Sequence, residues 1–281
     1  LRGSAGTGFK APSLPELYSG QIRGFDSVFD PVTGMITEVD TATAGNSDLQ
    51  PEESENFGLG LVWDASGNLS LSLDWWRIDI DNAVSNDPQY FVNNEARFAD
   101  NVVRDPSGRI VQVLNPFQNI AEQQAWGIDI AANTAWTTAS AGDFGIDLAA
   151  AYLGELEQTP LPGAESENLA GKDGRPRWRW KGALNWSKSS YRGTLIINYI
   201  GEYDRQLEGR DDAPVDSWTT VDAKLDWSPS ALKGGTVSLS VENIFDETPP
   251  EDPFFEGWPF FNRDLYSARG RFFWVGYKHE I

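Results

Sequence analysis

The sequence predicts an all-β protein, an antiparallel up-and-down transmembrane β-barrel. Three observations predict it. Apolar residues recur at every second position in segments of about eight to ten residues, and a period of two places them on one face of a strand. The links between these segments alternate between short and long. Aromatic residues concentrate near both ends of the apolar faces, as they do in membrane barrels.

About ten strands follow one another along the chain. The first, near Leu1 to Lys10, ends before Pro12, because proline lacks the N–H group that a sheet ladder needs. A Gly/Asn/Asp turn at 64–68 separates the second and third strands. The remaining strands carry these residues: Phe57, Leu59, Leu61, Trp63; Leu69, Leu71, Leu73, Trp75; Trp126, Ile128, Ile130, Ala132, Trp136; Phe144, Ile146, Leu148, Ala150, Tyr152; Trp180 to Trp186; Tyr191 to Tyr199; Val221, Ala223, Leu225, Trp227; Val237, Leu239, Val241, Phe245; Phe273, Val275, Tyr277, His279, Ile281.

The third strand changes parity in its middle. Leu69 to Trp75 share one face, whereas Trp76, Ile78 and Ile80 share the other. A slip of one residue moves every following side chain to the opposite face. We therefore expect a β-bulge near Trp75 and Trp76.

Long loops are expected after the first, third, fifth, seventh and ninth strands, and short links after the others. The loop after the third strand has about forty residues, a length that indicates function rather than mere connection. Within it, residues 102–111 predict a small hairpin around Pro106-Ser107-Gly108. A soluble β-sandwich rarely alternates short and long connections so regularly. The alternation therefore favours a membrane barrel with short turns at one edge and long loops at the other.

The aromatic residues predict two membrane girdles. Eight residues of tilted strand span ~25 Å, which is the height of an outer-membrane apolar band. The alternative is that aromatics simply favour strands. Opposite faces such as Arg179, Lys181 and Asn198 are polar, which indicates a wet or plugged lumen. The predicted girdle residues are Trp63, Trp126, Trp136, Trp178, Trp186, Tyr191, Tyr199 and Trp227.

Composition excludes several classes of function. The 281 residues include 42 acidic and 22 basic ones, a net charge of −20 that disfavours nucleic acid as a partner. Cysteine is absent and His279 is the single histidine, which argues against zinc sites and most Ser-His or Cys-His catalysis. We expect no catalytic residues, no metal and no cofactor. Acidic loop pairs such as Asp211-Asp212 lack a defined calcium-loop spacing, which favours a solvated face.

Five motifs resemble, in order, those of the barrel of TonB-dependent outer-membrane receptors. Each is weak alone, but together they cover nearly the whole chain. They are Gly8-Phe9-Lys10-Ala11-Pro12-Ser13 with Glu16-Leu17-Tyr18, Leu49-Gln50-Pro51-Glu52-Glu53-Ser54, Trp126-Gly127-Ile128-Asp129, Val241-Glu242-Asn243-Ile244-Phe245-Asp246, and Gly270-Arg271-Phe272-Phe273.

The resemblance implies that residues 1–281 form about the last ten strands of a barrel of about 22, with the plug domain absent. The chain begins with Leu1 and shows no signal peptide, so we expect a piece of a longer protein. Family membership implies a Gram-negative outer membrane, surrounding lipid, the barrel-assembly machinery, and a TonB complex reached through the missing N-terminal part. The family usually closes on Phe, whereas this chain closes on Ile281.

The implied function is receptor-mediated, TonB-energised uptake of a scarce nutrient, with a ferric siderophore as the default ligand. Oligosaccharide or cobalamin-type uptake by the same fold is the alternative. The aromatic loop before the last strand is the candidate for ligand contact, because binding sites combine aromatics with a few polar groups. Alternatively these aromatics pack the loop on itself. The candidates are Phe254, Phe255, Trp258, Phe260 and Phe261.

Two other classes of function remain open from the residues. An outer-membrane hydrolase could use carboxylates alone, as glycosidases do, with the two carboxylates supplied by different strands. A soluble, aromatic-rich, carbohydrate-binding β-sandwich is the binding-module alternative. It would stay soluble without detergent, whereas a barrel fragment would not.

Overall fold

The computed structural model describes residues 1–119, 122–159, 165–207, 210–254 and 257–279. Within these residues, ten strands follow one another in one antiparallel sheet, in which each pairs with its neighbours in chain order. The short strand Glu167–Asn168 pairs with Gly142–Thr159 as an eleventh member of the sheet. The predicted all-β, up-and-down arrangement is confirmed. The strands are β1 (Arg2–Lys10), β2 (Glu52–Ser66), β3 (Leu69–Asp81), β4 (Glu122–Thr138), β5 (Gly142–Thr159), β6 (Trp178–Lys188), β7 (Tyr191–Ile200), β8 (Trp218–Trp227), β9 (Gly235–Glu242) and β10 (Phe272–His279).

Long and short connections alternate along this sheet, as predicted. The segments 11–51, 82–121, 160–177, 201–217 and 243–271 follow β1, β3, β5, β7 and β9, and we call them loops 1 to 5. The links 67–68, 139–141, 189–190 and 228–234 follow the other strands. The sheet therefore has a long-loop edge and a short-turn edge.

One face of the sheet is apolar and exposed. Leu73 of β3 pairs with Leu61 of β2 and with Ile130 of β4. Leu61 and Leu73 remain 48% and 46% exposed, and Val275 of β10 is 73% exposed. A water-soluble domain buries such a continuous apolar surface, whereas a membrane barrel presents it to lipid.

The other face is polar and is connected by hydrogen bonds across the strands. Asn185 of β6 donates to Asp147 of β5 at 2.8 Å, and Thr194 of β7 donates to Asn185 at 3.1 Å. Arg2 and Asp74 form an ion pair at 2.6 Å. The predicted polar face is therefore a connected network.

The aromatic residues of the apolar face form ladders near both edges. Near the short-turn edge, Trp136 stacks on Phe144 with ring centroids 5.4 Å apart. Near the long-loop edge, Tyr152 lies 4.8 Å from Trp178. Paired register and parity place all eight predicted girdle residues on the apolar face. Their contact with lipid headgroups stays a prediction.

The prediction of a bulge near Trp75 and Trp76 is wrong. The pairing of β3 with β2 and β4 continues through both residues without a shift. The register stays the same, and the residue type on the outer face changes instead. Beyond Trp75, the face that was apolar up to that residue carries Arg77 and Asp79, which form an ion pair at 2.9 Å. The strand has passed the apolar band, so polar side chains take the outer positions.

Two register shifts occur elsewhere in the described sheet, one at Asp64/Ser66 between β2 and β3 and one between β4 and β5. Trp126 pairs with Glu155 and Gly127 with Leu153, which leaves Gly154 as the extra residue. A Cβ atom at Gly127 would lie 2.5 Å from the ring of Trp76 and 2.6 Å from the carbonyl oxygen of Tyr152. The glycine in the Trp-Gly-Ile-Asp motif thus allows Trp76 to cover the strand on the polar face.

The motif around Asn243 forms a closed turn, so β9 ends at Glu242 and does not reach Phe245 as predicted. The side chain of Asn243 accepts from the backbone N–H of Glu247 at 3.0 Å and donates to its carbonyl oxygen at 2.9 Å. Asp246 accepts from the backbone N–H of Arg271 at 2.7 Å. The turn therefore holds the start of β10 beside the end of β9.

Loops 1 and 2 fold together into a small unit that we call the cap. In loop 1, Ile22–Asp30 and Met35–Thr43 form an antiparallel hairpin. The second of these strands pairs in parallel with Ile110–Leu114 of loop 2, which also pairs with Val102–Arg104. The last pair confirms the predicted small hairpin. The sequence did not predict the hairpin of loop 1 or its parallel partner.

Two short helices accompany the cap. Helix α1 (Leu14–Tyr18) begins with a capping box between Ser13 and Glu16, a sequence signal for a helix start. Helix α2 (Pro88–Asn93) begins at Asp87, whose side chain accepts from the backbone N–H of Gln89. None of the helices in the described ranges is long and apolar enough to cross a membrane. The other short elements are Val84–Ser85, Ala99–Asn101 (3₁₀), Gln118–Asn119, Glu167–Asn168, Tyr203–Arg205, Ala213–Val215 and Ser230–Leu232 (3₁₀).

The cap has its own hydrophobic core and an ion-pair network around the buried Asp30. Its fully buried core residues are Val28, Val39, Phe91, Val92, Val102, Ile110 and Val113. Arg104 of loop 2 contacts Asp30 of loop 1 at 2.8 Å and Glu95 at 2.7 Å. The hydrogen bond from Arg104 lowers the pKa of Asp30 to about 2, against the opposing effect of burial.

We expect Gly127→Ala to destabilise the sheet by ~1–3 kcal/mol, because the new methyl group overlaps Trp76 and a backbone oxygen. The measurement is the urea concentration at which the unheated, detergent-folded protein loses its compact mobility on SDS gels. Gly145→Ala on β5 is the control, because its Cβ atom has only ordinary contacts, at 3.7 Å or more. Equal midpoints for the two variants would contradict the prediction.

We expect acid to loosen the cap between pH ~4 and ~2. A carboxyl group whose folded-state pKa is lowered stabilises the fold above its unfolded pKa and loses this effect as the pH falls through the folded value. Hydrogen exchange of residues 22–43 should therefore accelerate as the pH falls through this window, beyond its intrinsic pH dependence.

Asp30→Asn should remove this pH dependence, and Asp26→Asn, at an exposed position of the same strand, should retain it. Identical exchange profiles for all three proteins would show that Asp30 does not hold the cap.

Candidate ligand-binding site at the long-loop edge

Loops 3, 4 and 5 are joined by Arg205. Its guanidinium group contacts Asp173 of loop 3 at 2.6 Å and Asp252 of loop 5 at 2.8 Å, and the side chain of Asp252 is only 3% exposed. Burial opposes the charge of Arg205, but the hydrogen bond and charge of Asp252 prevail and raise its pKa. These two contacts join three loops through one side chain, and we call the three residues the Arg205 clamp.

A second hydrophobic core lies under loop 5. Its buried members are Ile200, Tyr203, Val215, Phe261 and Tyr266. Trp218 at the start of β8 packs edge-on against Tyr266 with ring centroids 5.5 Å apart. Burial raises the pKa of Tyr266 above its ordinary range, so this hydroxyl stays protonated. Loop 5 therefore rests on a packed base.

The tip of loop 5 is a closed turn in a strained conformation. Asp252 donates its backbone N–H to the carbonyl oxygen of Phe260 at 2.8 Å, and Phe260 donates to Gly257 at 2.8 Å. Phe260 has a φ of +64°, which is rare for a bulky residue. Strain of this kind persists where surrounding contacts impose it, and it concentrates at binding sites.

The five predicted contact residues separate into different environments. Trp258 is 79% exposed and Phe260 is 50% exposed, both at the tip of the turn. Phe254 is half-buried, with the guanidinium carbon of Arg210 5.7 Å from its ring centre. Phe261 is buried and packs against Tyr266, so the alternative of self-packing holds for this residue. Phe255 lies outside the described residues.

A cavity of about 580 Å³ lies between the cap and loop 3. Gln158 at the end of β5 shares its face with Gln123 and Ile80, so the cavity opens on the polar side of the sheet. Most lining side chains are neutral hydrogen-bonding groups, and the sequence did not single them out. The Asp87-Pro88 pair, a helix-start signal, could have indicated the wall that α2 supplies. The neutral polar lining consists of Ser85, Gln89, Tyr90, Asn93, Gln118, Asn119 and Gln158.

The acidic loop pairs do not assemble into a metal site in the described part of the chain, where no group of three potential ligands comes together. Asp252 is engaged by Arg205, and Asp212 accepts from Gln206 at 3.2 Å. The described site thus consists of an aromatic tip, a charged clamp and a polar cavity, all at the long-loop edge.

Comparison with known proteins assigns the fold to a family. Residues 1–244 match the family model described as TonB dependent receptor-like, beta-barrel. The iron-regulated outer membrane virulence protein of Vibrio cholerae serotype O1 is 24% identical over 264 residues, which are 88% of this chain and 33% of that protein.

Solved siderophore receptors have the same fold. The siderophore receptor PirA of Acinetobacter baumannii superposes with a TM-score of 0.64 at 15% identity, over 99% of this chain and 38% of that one. A point mutant of the ferric enterobactin receptor PfeA of Pseudomonas aeruginosa, in complex with enterobactin, has a TM-score of 0.65 at 14% identity, over 98% of this chain and 37% of that one.

The chain thus spans about a third of the length of its curated relative and less than two fifths of the solved receptors. Its ten-strand sheet, exposed apolar face and polar opposite face agree with an outer-membrane barrel wall. With the family model matched over residues 1–244, the chain belongs to the TonB-dependent receptor β-barrel family of the Gram-negative outer membrane.

Proposed function

We propose that the protein takes part in TonB-energised uptake of a ferric siderophore, with loops 1 to 5 facing the outside of the cell. The family match over residues 1–244 carries the proposal. Relatives named as siderophore receptors share the fold. The family consists of transporters and receptors. Family membership also implies the TonB complex and the barrel-assembly machinery as partners.

The loop geometry supports a ligand-binding role for the long-loop edge. An exposed Trp258 and a strained Phe260 stand above a packed base, and a polar cavity of about 580 Å³ opens on the side of the lumen. Pockets of about 300–1,000 Å³ with aromatic and polar groups are typical of small-molecule sites. The aromatic tip would make the first contact, and the cavity would hold polar groups of the ligand.

The girdle residues would fix the depth of the wall in the membrane. The two aromatic ladders lie at opposite edges of the apolar face, and amphipathic rings favour the interface between lipid tails and headgroups. We propose that Trp63, Trp126, Trp136, Trp178, Trp186, Tyr191, Tyr199 and Trp227 serve in this way.

We expect Trp258→Ala to weaken binding of the ferric siderophore about tenfold, because an exposed aromatic anchor contributes ~1–3 kcal/mol to binding. Quenching of intrinsic fluorescence by the ferric chelate measures the affinity. Phe245→Ala is the matched control, because Phe245 is also an exposed aromatic residue of loop 5 but lies outside the tip. Unchanged affinity in Trp258→Ala would remove the tip from the site.

We expect Arg205→Met to weaken siderophore binding and to loosen the three loops together, since removing the guanidinium group leaves buried Asp252 without its partner, at a cost of ~1–3 kcal/mol. Hydrogen exchange should rise at 165–177, 201–207 and 250–254.

The control for this substitution is Arg263→Met, an exposed arginine of loop 5 that should leave both readouts unchanged. Faster exchange in one loop alone would show that Arg205 does not couple the three.

A further inference from the structure

We infer that the cavity between the cap and loop 3 selects a neutral, oxygen-rich ferric chelate over a strongly anionic one. The inference rests on the proposed function, since it specifies which ferric chelates the site accepts. Two independent features carry it: the chemistry of the cavity lining and the charge of the surrounding loops.

The lining offers hydrogen bonds rather than positive charge. Ser85, Gln118 and Gln158, which carry a hydroxyl group and two amides, line the cavity. Amides and hydroxyls both donate and accept, so they match carbonyl, amide and hydroxyl groups of a neutral ligand. These groups provide orientation without requiring a ligand charge.

The formal charges of the lining residues also favour a neutral ligand over an anionic one. Asp87, Glu165 and Glu167 line the cavity, whereas Arg175 is the single cation among its described lining residues. Glu167 is paired with Lys172 at 3.4 Å, which leaves the surroundings net negative. A multiply charged anion would enter a cavity in which repulsive carboxylates outnumber the cation that could pair with it.

The negative charge is not limited to the cavity, because the five loops of the long-loop edge are acidic as well. Loops 1 to 5 together contain about twice as many acidic as basic residues. A surface of one sign lowers the local concentration of ligands of the same sign and slows their association. The negative charge of the loops therefore disfavours the approach of anionic ligands, and the cavity lining disfavours their binding. Both effects favour a neutral chelate.

Iron chelates provide matched probes of charge. A ferric ion held by three hydroxamates is neutral, because each hydroxamate carries one negative charge. A ferric ion held by three catecholates is triply negative, because each catecholate carries two. Both surround the metal with six oxygen atoms, and they differ by three units of net charge.

The experiment measures affinities of the protein in detergent for ferrichrome, a neutral tris-hydroxamate chelate, and for ferric enterobactin, a tris-catecholate chelate. We expect ferrichrome to bind at least about tenfold more tightly at low salt, with the ratio shrinking as salt screens the field. Equal or tighter binding of ferric enterobactin overturns the inference and leaves the proposed function standing. If neither binds, the proposed siderophore function itself fails.

Two charge reversals locate the effect. Glu165→Lys should raise the affinity for ferric enterobactin several-fold and leave ferrichrome unchanged, because Glu165 lines the cavity and is exposed. Asp211→Lys makes the same change of charge in loop 4, away from the described lining, and should have a smaller effect. An equal effect of the two substitutions would assign the selection to the general field and overturn the role of the cavity.

Discussion

In the wall of this protein, each strand from β2 to β9 pairs its backbone amide and carbonyl groups with two neighbouring strands, and the rest of the structure depends on this ladder. A membrane interior offers no water to pair with an exposed backbone group, so a spanning sheet has to be paired along its whole length. The ladder runs from Arg2 in β1 to His279 in β10 with two register irregularities among the described pairs, at Asp64/Ser66 and at Trp126/Gly127. The backbone ladder is the same whatever the side chains are, so the two faces of the sheet can carry different residues.

The loops, unlike the strands of the wall, are held in place by side-chain packing and ion pairs. Loops 1 and 2 bury a hydrophobic core of their own, loops 3, 4 and 5 share the Arg205 clamp, and loops 4 and 5 share a second core. Each loop alone has too few apolar residues to offset the entropy of ordering its backbone. Loops that pack against one another bury enough apolar surface to become ordered. The ordered long-loop edge can then hold a strained residue such as Phe260 in place.

The motifs that resemble the receptor family serve mainly the barrel. Asn243 closes the turn after β9, Asp246 receives the N–H of Arg271, and Gly127 makes room for Trp76. The residues proposed to meet a ligand, by contrast, belong to loop surfaces outside these motifs. This explains why the motifs identify the family, whereas the selectivity has to be derived from the cavity and its charges.

The sequence by itself determined the ten strands, their two faces and the order of long and short connections. The strands, their faces and the order of the connections follow from local rules: the two-residue period of a strand, the chemistry of turns and the spacing of aromatic residues. Only the tertiary structure decided that residues 40–42 pair with 112–114, that Arg205 joins three loops, that Phe261 is buried, and that the bulge lies at Gly154 instead of Trp75. Each of these depends on groups far apart in the chain, and no local pattern records which distant groups meet.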